Sequence, residues 1–159
     1  MIPEMIIKII AGMFGTLGFA ILFKLKAKHL PFSIICGFIA CVVYFPLSGA
    51  FNSIFAPNFF AAFATAITAE IFAIICKTPT TAFLFTGCIT LVPGSFLFYG
   101  MTSLLEQNYS DAANYFLMTL NVAIAIGGGI IASSLVRIAV KTLIIGYKKR
   151  KTDKTSDEK

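Results

Sequence analysis

Charge is the scarcest property of this sequence. Charged residues fill 13% of its 159 positions and only 7 of them are acidic, against roughly 25% charged in an ordinary soluble domain. A soluble chain of this length must cover its core with polar surface, and this one lacks the residues to do so. Histidine occurs once, as His29 in a basic stretch. There is no His-Glu metal motif, no aspartate pair inside an apolar segment and no nucleophile elbow. No glycine loop precedes a Lys-Ser/Thr pair, so ATP is not bound in that way. The four cysteines, Cys36, Cys41, Cys76 and Cys88, form no CxxC pair and give neither a disulfide framework nor a metal site; they read as small apolar packing residues. No enzyme activity, cofactor or metal is therefore expected.

What the sequence has is apolar length. Hydrophobic residues make up 58% of it and the mean hydropathy is +0.89. About 20 apolar residues in a helix match the ~30 Å hydrocarbon core of a bilayer. Runs of that kind lie near 5–23, 31–50, 59–76, 80–105 and 112–136, the last with a helical extension to 147, and residues 148–159 form a basic, solvated and disordered tail. The expected fold is an all-α membrane protein of about five transmembrane helices. The first run has no small-residue cleavage site before a polar start, so it reads as a span and not as a signal peptide.

The positions of the cations set an expected topology. Cytoplasmic loops carry excess Lys and Arg. Five spans with the N-terminus outside put Lys24, Lys26, Lys28, Lys77, Arg137, Lys141 and the six cations of the tail on the cytoplasmic side, 12 of the 13 basic residues. Splitting the long last run at Gly127-Gly128-Gly129 would strand the tail on the far side, so one span with an extension is expected there. The net charge of +6 belongs to these membrane edges and not to a nucleic-acid face, which would need Lys and Arg spread over a solvated surface.

Four features inside the runs bear on function. Glu70 lies within the third run, where a carboxylate in lipid is costly; it must face the bundle interior, be protonated or find a donor, as a proton relay, a substrate contact or a buried packing carboxyl. In the fourth run, Leu91-Val92-Pro93-Gly94-Ser95 predicts a broken or kinked helix, because proline removes a donor and glycine adds freedom. Breaks of this kind free backbone groups that transporters use to bind polar substrates, and Thr86, Thr90, Ser95 and Tyr99 add hydroxyls nearby. Asn121 is expected as a buried amide serving as interhelical glue or a ligand contact. Small residues form a stripe at Ala62, Ala66, Ala69 and Ala73 and a surface at Gly127 to Gly129; both suit close helix packing, and the glycines equally suit a hinge. Asn58-Phe59-Phe60 and Tyr109 fit the membrane interface.

The stretch KTPTTAFLFTGCITLVPGSFLFYGMTSLL resembles the threonine/serine exporter family, in particular its ThrE-type small all-membrane subunit. Pro79, Pro93, Gly94, Ser95 and Tyr99 carry the likeness, which extends through Asn121 and the basic Lys148 to Lys151. The resemblance implies a membrane subunit of a secondary exporter of small polar metabolites, threonine and serine or small dicarboxylates, driven by the proton gradient in the bacterial cytoplasmic (inner) membrane. It implies as partner a larger subunit with a cytoplasmic N-terminal domain, or else a homo-oligomer. On this reading Pro93, Gly94, Ser95, Thr90, Tyr99 and Asn121 line the substrate pathway and Glu70 is the candidate for proton coupling. The alternative is a non-transporting structural or assembly subunit of a membrane complex.

Overall fold

A computed structural model describes the backbone of residues 2–157 and the side chains of residues 5–142. Six helices follow one another: α1 (Ile2–Leu22), α2 (Leu30–Ala50), α3 (Phe55–Cys76), α4 (Thr80–Cys88), α5 (Gly94–Leu105) and α6 (Tyr109–Asp157). Short 3-10 turns, Ala27–His29 and Ile89–Leu91, lead into α2 and out of α4. No strand occurs among the described residues. Four helices are long and apolar enough to cross a membrane, with membrane-compatible stretches Met5–Leu22, Ala27–Ala50, Phe55–Cys76 and Tyr109–Thr142. The pair Thr80–Leu91 and Gly94–Leu105 bends by 53° and supplies a fifth crossing if counted as one span. The break expected at Pro93-Gly94 is thus present.

Several boundaries move for identifiable reasons. Helix α3 begins at Phe55, four residues before the run expected at 59, because Pro57 sits in its first turn, where no donor is needed. Helix α6 begins at Tyr109 and not at 112: Asn108 caps it, its Oδ1 accepting from the Asp111 N–H (3.4 Å) while its Nδ2 donates to Asp111 Oδ2 (2.6 Å). The same helix passes without a break through Gly127 to Gly129 and runs 49 residues, to Asp157. The cationic side chains of the tail lie outside the described residues.

The core is built from small residues. Ala40, Ala61, Ala62, Ala66, Ala69 and Ala73 are buried, as are the hydroxyls of Thr16, Ser33, Thr65, Thr86 and Ser133. Large side chains such as Phe14, Ile74 and Leu105 point outward. A soluble protein would do the reverse; in lipid the outer face gains nothing by being polar, and close approach of backbones drives association. Glycines mark the tightest crossings. A Cβ on Gly37 would collide with Thr16 of α1, one on Gly87 would lie 2.8 Å from Thr65 Cγ2 and 2.9 Å from Cys36 Cβ, and one on Gly129 would lie 2.5 Å from the Phe59 carbonyl oxygen. The Ser33 hydroxyl donates to Thr86 Oγ1 across α2 and α4.

Helix α3 is the centre, packed against α2, α4 and α6, while α1 lies on α2 and α4, and α5 leans chiefly on α6. Gly129 over Phe59 and Arg137 beside Glu70 show that α6 runs parallel to α3. At one end of the bundle the loops after α1 and α3 converge, bringing Lys24, Lys26, Lys28, His29 and Lys77 around one cavity. The short turn between α2 and α3, at the other end, has no charged residue.

Candidate substrate site at the helix break

The break is written in local backbone chemistry. Proline at 93 has no N–H to give the Ile89 carbonyl, which instead accepts from Val92 (3.2 Å). Val92 is extended (φ −62°, ψ 130°). Pro93 then turns tightly (φ −79°, ψ 55°), and the Gly94 N–H donates to the Val92 carbonyl at 2.8 Å, the geometry of an inverse γ-turn. Helix α5 starts immediately with no side-chain cap. The first-turn N–H groups of Ser95 and Phe96 consequently have no acceptor within the helix, and the positive end of its dipole lies there.

Those groups border a cavity of about 200 Å3, small beside the roughly 300–1,000 Å3 of sites for drug-sized ligands. Thr90, Leu91, Val92, Pro93, Ser95 and Phe96 form one wall; Tyr44 of α2, Asn58 of α3 and Val122 of α6 form the others. Asn58 is buried and fixed by donating from Nδ2 to the Ile54 carbonyl (2.7 Å). The Thr90 hydroxyl donates to the Gly87 carbonyl (3.0 Å). Counting from Thr80, the break lies twelve residues, or about 18 Å of helix, from the lysine-bearing end, somewhat past the middle of a ~30 Å hydrocarbon layer. A carboxylate-bearing metabolite would meet free N–H donors, a hydroxyl and an amide there.

The structure brings together only part of the expected set. Thr90, Pro93 and Ser95 share the cavity, and Gly94 forms the turn between them. Tyr99 points away: it is half-exposed and lies against Tyr115 of α6, ring centres 5.8 Å apart. Asn121 is exposed, correcting its reading as a buried amide; it borders an apolar groove with Phe55, Leu117, Leu120 and Ile124. It sits one residue before Val122, so the helical turn carries its side chain off the wall that Val122 joins. Sequence reasoning missed Tyr44 and Asn58. Asn58 was read as interfacial, and Tyr44, beside Pro46 inside α2, carried no motif.

Glu70 is elsewhere. It lies twelve residues beyond Asn58 on α3, about 18 Å along the helix. Its partner is Arg137 of α6, with Oε1 3.9 Å from the Nη1 nitrogen. Both border a separate cavity of about 490 Å3 between α3 and α6, with Ile67, Ile71, Ser133 and Lys141. The Glu70 side chain is 13% exposed and that of Arg137 54%, so the pair is held at the edge of the bundle and not in its interior. Among the described residues no cluster of metal-ligating side chains occurs.

None of the curated proteins and none of the solved structures compared with this chain matches it. A family match does exist and takes in most of α1, all of α2 to α5, and α6 as far as Val136. Residues 8–136 match the Threonine/Serine exporter, ThrE family, and the chain belongs to that family of membrane transporters.

Proposed function

We propose that this chain is a membrane subunit of a secondary exporter of threonine and serine, or of small dicarboxylates, driven by the proton gradient across the bacterial cytoplasmic (inner) membrane. The observation that carries the reading is the broken α4–α5 pair, whose uncapped α5 N-terminus borders a small polar cavity near mid-depth. Substrate sites of secondary transporters form at such discontinuous helices, where half-helix N-termini meet anionic groups. Family membership supplies the class of cargo. The substrate carboxylate sits on the Ser95 and Phe96 N–H groups, with Thr90, Asn58 and Tyr44 around its polar body.

A partner completes the pathway: a larger subunit with a cytoplasmic N-terminal domain, or further copies of this chain. The orientation follows from charge, with the lysine-bearing end cytoplasmic and the N-terminus outside. Glu70 is the candidate for proton coupling, and Arg137 beside it governs when the carboxyl gives up its proton.

The test is efflux of labelled threonine, serine and a dicarboxylate from cells with and without the chain, before and after a protonophore collapses the gradient. Efflux that needs the chain, stops with the protonophore and fails in a Ser95→Pro variant, which removes one of the two free donors, is the expected result. Equal efflux of all three substrates with and without the chain overturns the reading. A complex that forms normally while Pro93→Ala, Ser95→Pro and Asn58→Ala all leave export intact favours the structural subunit instead.

A further inference from the structure

We propose that the basic cavity at the lysine-bearing end of the bundle is a binding site for a phosphate-bearing anion, which in the membrane is the headgroup of an anionic phospholipid. The cavity encloses about 540 Å3 between the α1–α2 and α3–α4 connections. Lys24, Lys26, Lys28 and Lys77 line it, and no acidic residue does among the described residues.

Backbone geometry adds to the charge. Two helices begin here, α2 and α4, and neither N-terminus has a side-chain cap. At α4 the Thr80 and Thr81 N–H groups are left for water or an anion, while Ala82 N–H donates to the Pro79 carbonyl (3.1 Å); at α2 Leu30 N–H donates to the Ala27 carbonyl and Pro31 has no N–H. Two helices end here, α1 and α3, through the same cap: Leu25 N–H donates to the Ala20 carbonyl (3.0 Å) and Thr78 N–H to the Ala73 carbonyl (3.1 Å). The cap requires a left-handed residue, which is Lys24 (φ 54°) in one and Lys77 (φ 50°) in the other. Glycine fills that position without strain. Here both helix ends carry lysine, and both lysines face the same cavity.

His29 stands in the wall beside these lysines. It lines the cavity, is 7% exposed, and its Nδ1 is buried without a hydrogen-bond partner among the described residues. The other nitrogen, Nε2, lies 3.4 Å from Thr78 Oγ1, whose own hydrogen is directed to the Cys76 carbonyl (3.1 Å). With Nε2 donating to Thr78, the buried Nδ1 is an acceptor and offers an anion no hydrogen; the groups that draw an anion into the cavity are its four lysines, with no carboxylate among the lining residues. The rest of the wall is apolar: Phe23, Leu25, Cys76, Pro79 and Ala82. A phosphate attached to an apolar body satisfies both halves of the lining, and the cavity lies where the spans end, at headgroup level. Basic recesses between transmembrane helices bind anionic headgroups in this way.

The experiment uses the full chain purified in a neutral detergent and read by native mass spectrometry and by thermal melting. The added probes are phosphatidylglycerol, phosphatidylcholine and inorganic phosphate. The variant is Lys24→Gln with Lys77→Gln, which keeps both caps, since Gln107 holds the same left-handed position (φ 59°) at the end of α5. Phosphatidylglycerol retained at least fivefold over phosphatidylcholine, with that preference lost in the Gln variant and restored by arginine at both positions, is the expected result. Displacement of phosphatidylglycerol by millimolar inorganic phosphate keeps the anion site but overturns the lipid as its occupant. Equal retention of the two lipids, or a preference unchanged in the Gln variant, overturns the site.

Discussion

Replacing Gly129 by alanine tests the seam on which the bundle depends. The new Cβ would lie 2.5 Å from the Phe59 carbonyl oxygen, 3.0 Å from Ala62 Cβ and 3.0 Å from the Phe63 nitrogen, where ordinary contact begins near 3.4 Å. Two of those atoms are backbone, so no rotamer change relieves them, and α6 must move off α3 by about 0.9 Å, the shortfall at the carbonyl. Overpacking of this kind costs about 1–3 kcal/mol, and each 1–2 kcal/mol changes the folded ratio by a factor of about 5–30. Gly37→Ala makes a different collision, with Thr16 side-chain atoms only. It should destabilise the parent but not a Thr16→Gly background, where the obstructing atoms are gone. No side-chain change at Phe59 rescues Gly129→Ala, because the obstruction is a carbonyl. Thermal melting in detergent, followed by fluorescence-detected gel filtration, separates the two cases. A Gly129→Ala protein that melts with the parent, or one rescued by Phe59→Ala, would refute the α3–α6 register described above.

Three further outcomes follow from the same geometry. Pro93→Ala combined with Gly94→Ala gives residue 93 a donor for the Ile89 carbonyl and should join α4 to α5; export is expected to fall tenfold or more with melting unchanged or raised, measured as efflux beside a melt. The Glu70–Arg137 attraction at 3.9 Å would be about 4 kcal/mol at an effective dielectric of 20, but exposure of Arg137 reduces it to roughly 1 kcal/mol; Glu70→Gln and Arg137→Gln should each lower the melting temperature, with the double variant less affected than the sum, while export and its pH dependence unaltered in Glu70→Gln would confine Glu70 to this ion pair. In a cysteine-free background, cysteine at position 26 and cysteine at position 53 should label from opposite faces of the membrane, since the two connections cap opposite ends of α2, and labelling from the same face would remove α2 as a span.

Much of this arrangement was legible because lipid makes the sequence code one-dimensional. Apolar runs gave the helices, and the Pro93-Gly94 pair gave the break, since proline acts on its own backbone whatever surrounds it. The Ala62, Ala66, Ala69 and Ala73 stripe gave the buried face of α3. Pairings between helices distant in sequence were not legible. Glu70 and Arg137 stood out separately, one as a costly carboxylate and the other as a boundary cation, but only the parallel course of α6 along α3 joins them. Asn121 failed for a related reason: an amide inside an apolar run reads as buried, yet which face of α6 meets its neighbours was not legible, and Val122 and Ala125 take the buried face while Asn121 is exposed. His29 looked like a loop residue because lysines surround it in sequence, whereas in space Phe83 lies edge-on to it at 6.1 Å and buries it.

Helix α5 is the element that the tight glycine crossings leave unfixed. The α1–α4 bundle and α6 are locked by crossings at Gly37, Gly87 and Gly129. Helix α5 has no such lock to that bundle; it joins α4 through the extended Val92 and the Pro93 turn, and leans chiefly on α6. That contact is carried by Gly100, where an added Cβ would meet Tyr115 Cβ at 3.3 Å and Phe116 Cζ at 3.4 Å, and by the Tyr99–Tyr115 ring pair. A swing of α5 about Pro93 would therefore change the volume at the break without disturbing the α2–α3–α4 core. Gly100→Ala fits at near-ordinary contact distances and should be close to neutral. Gly100→Leu cannot fit and wedges α5 from α6 about one turn beyond Phe96, at the edge of the cavity. Export is expected to fall severalfold for leucine and little for alanine, with melting of the core unchanged in both. Leucine at 100 with full export would show that α5 need not pack on α6 during transport, and the hinge would then lie elsewhere.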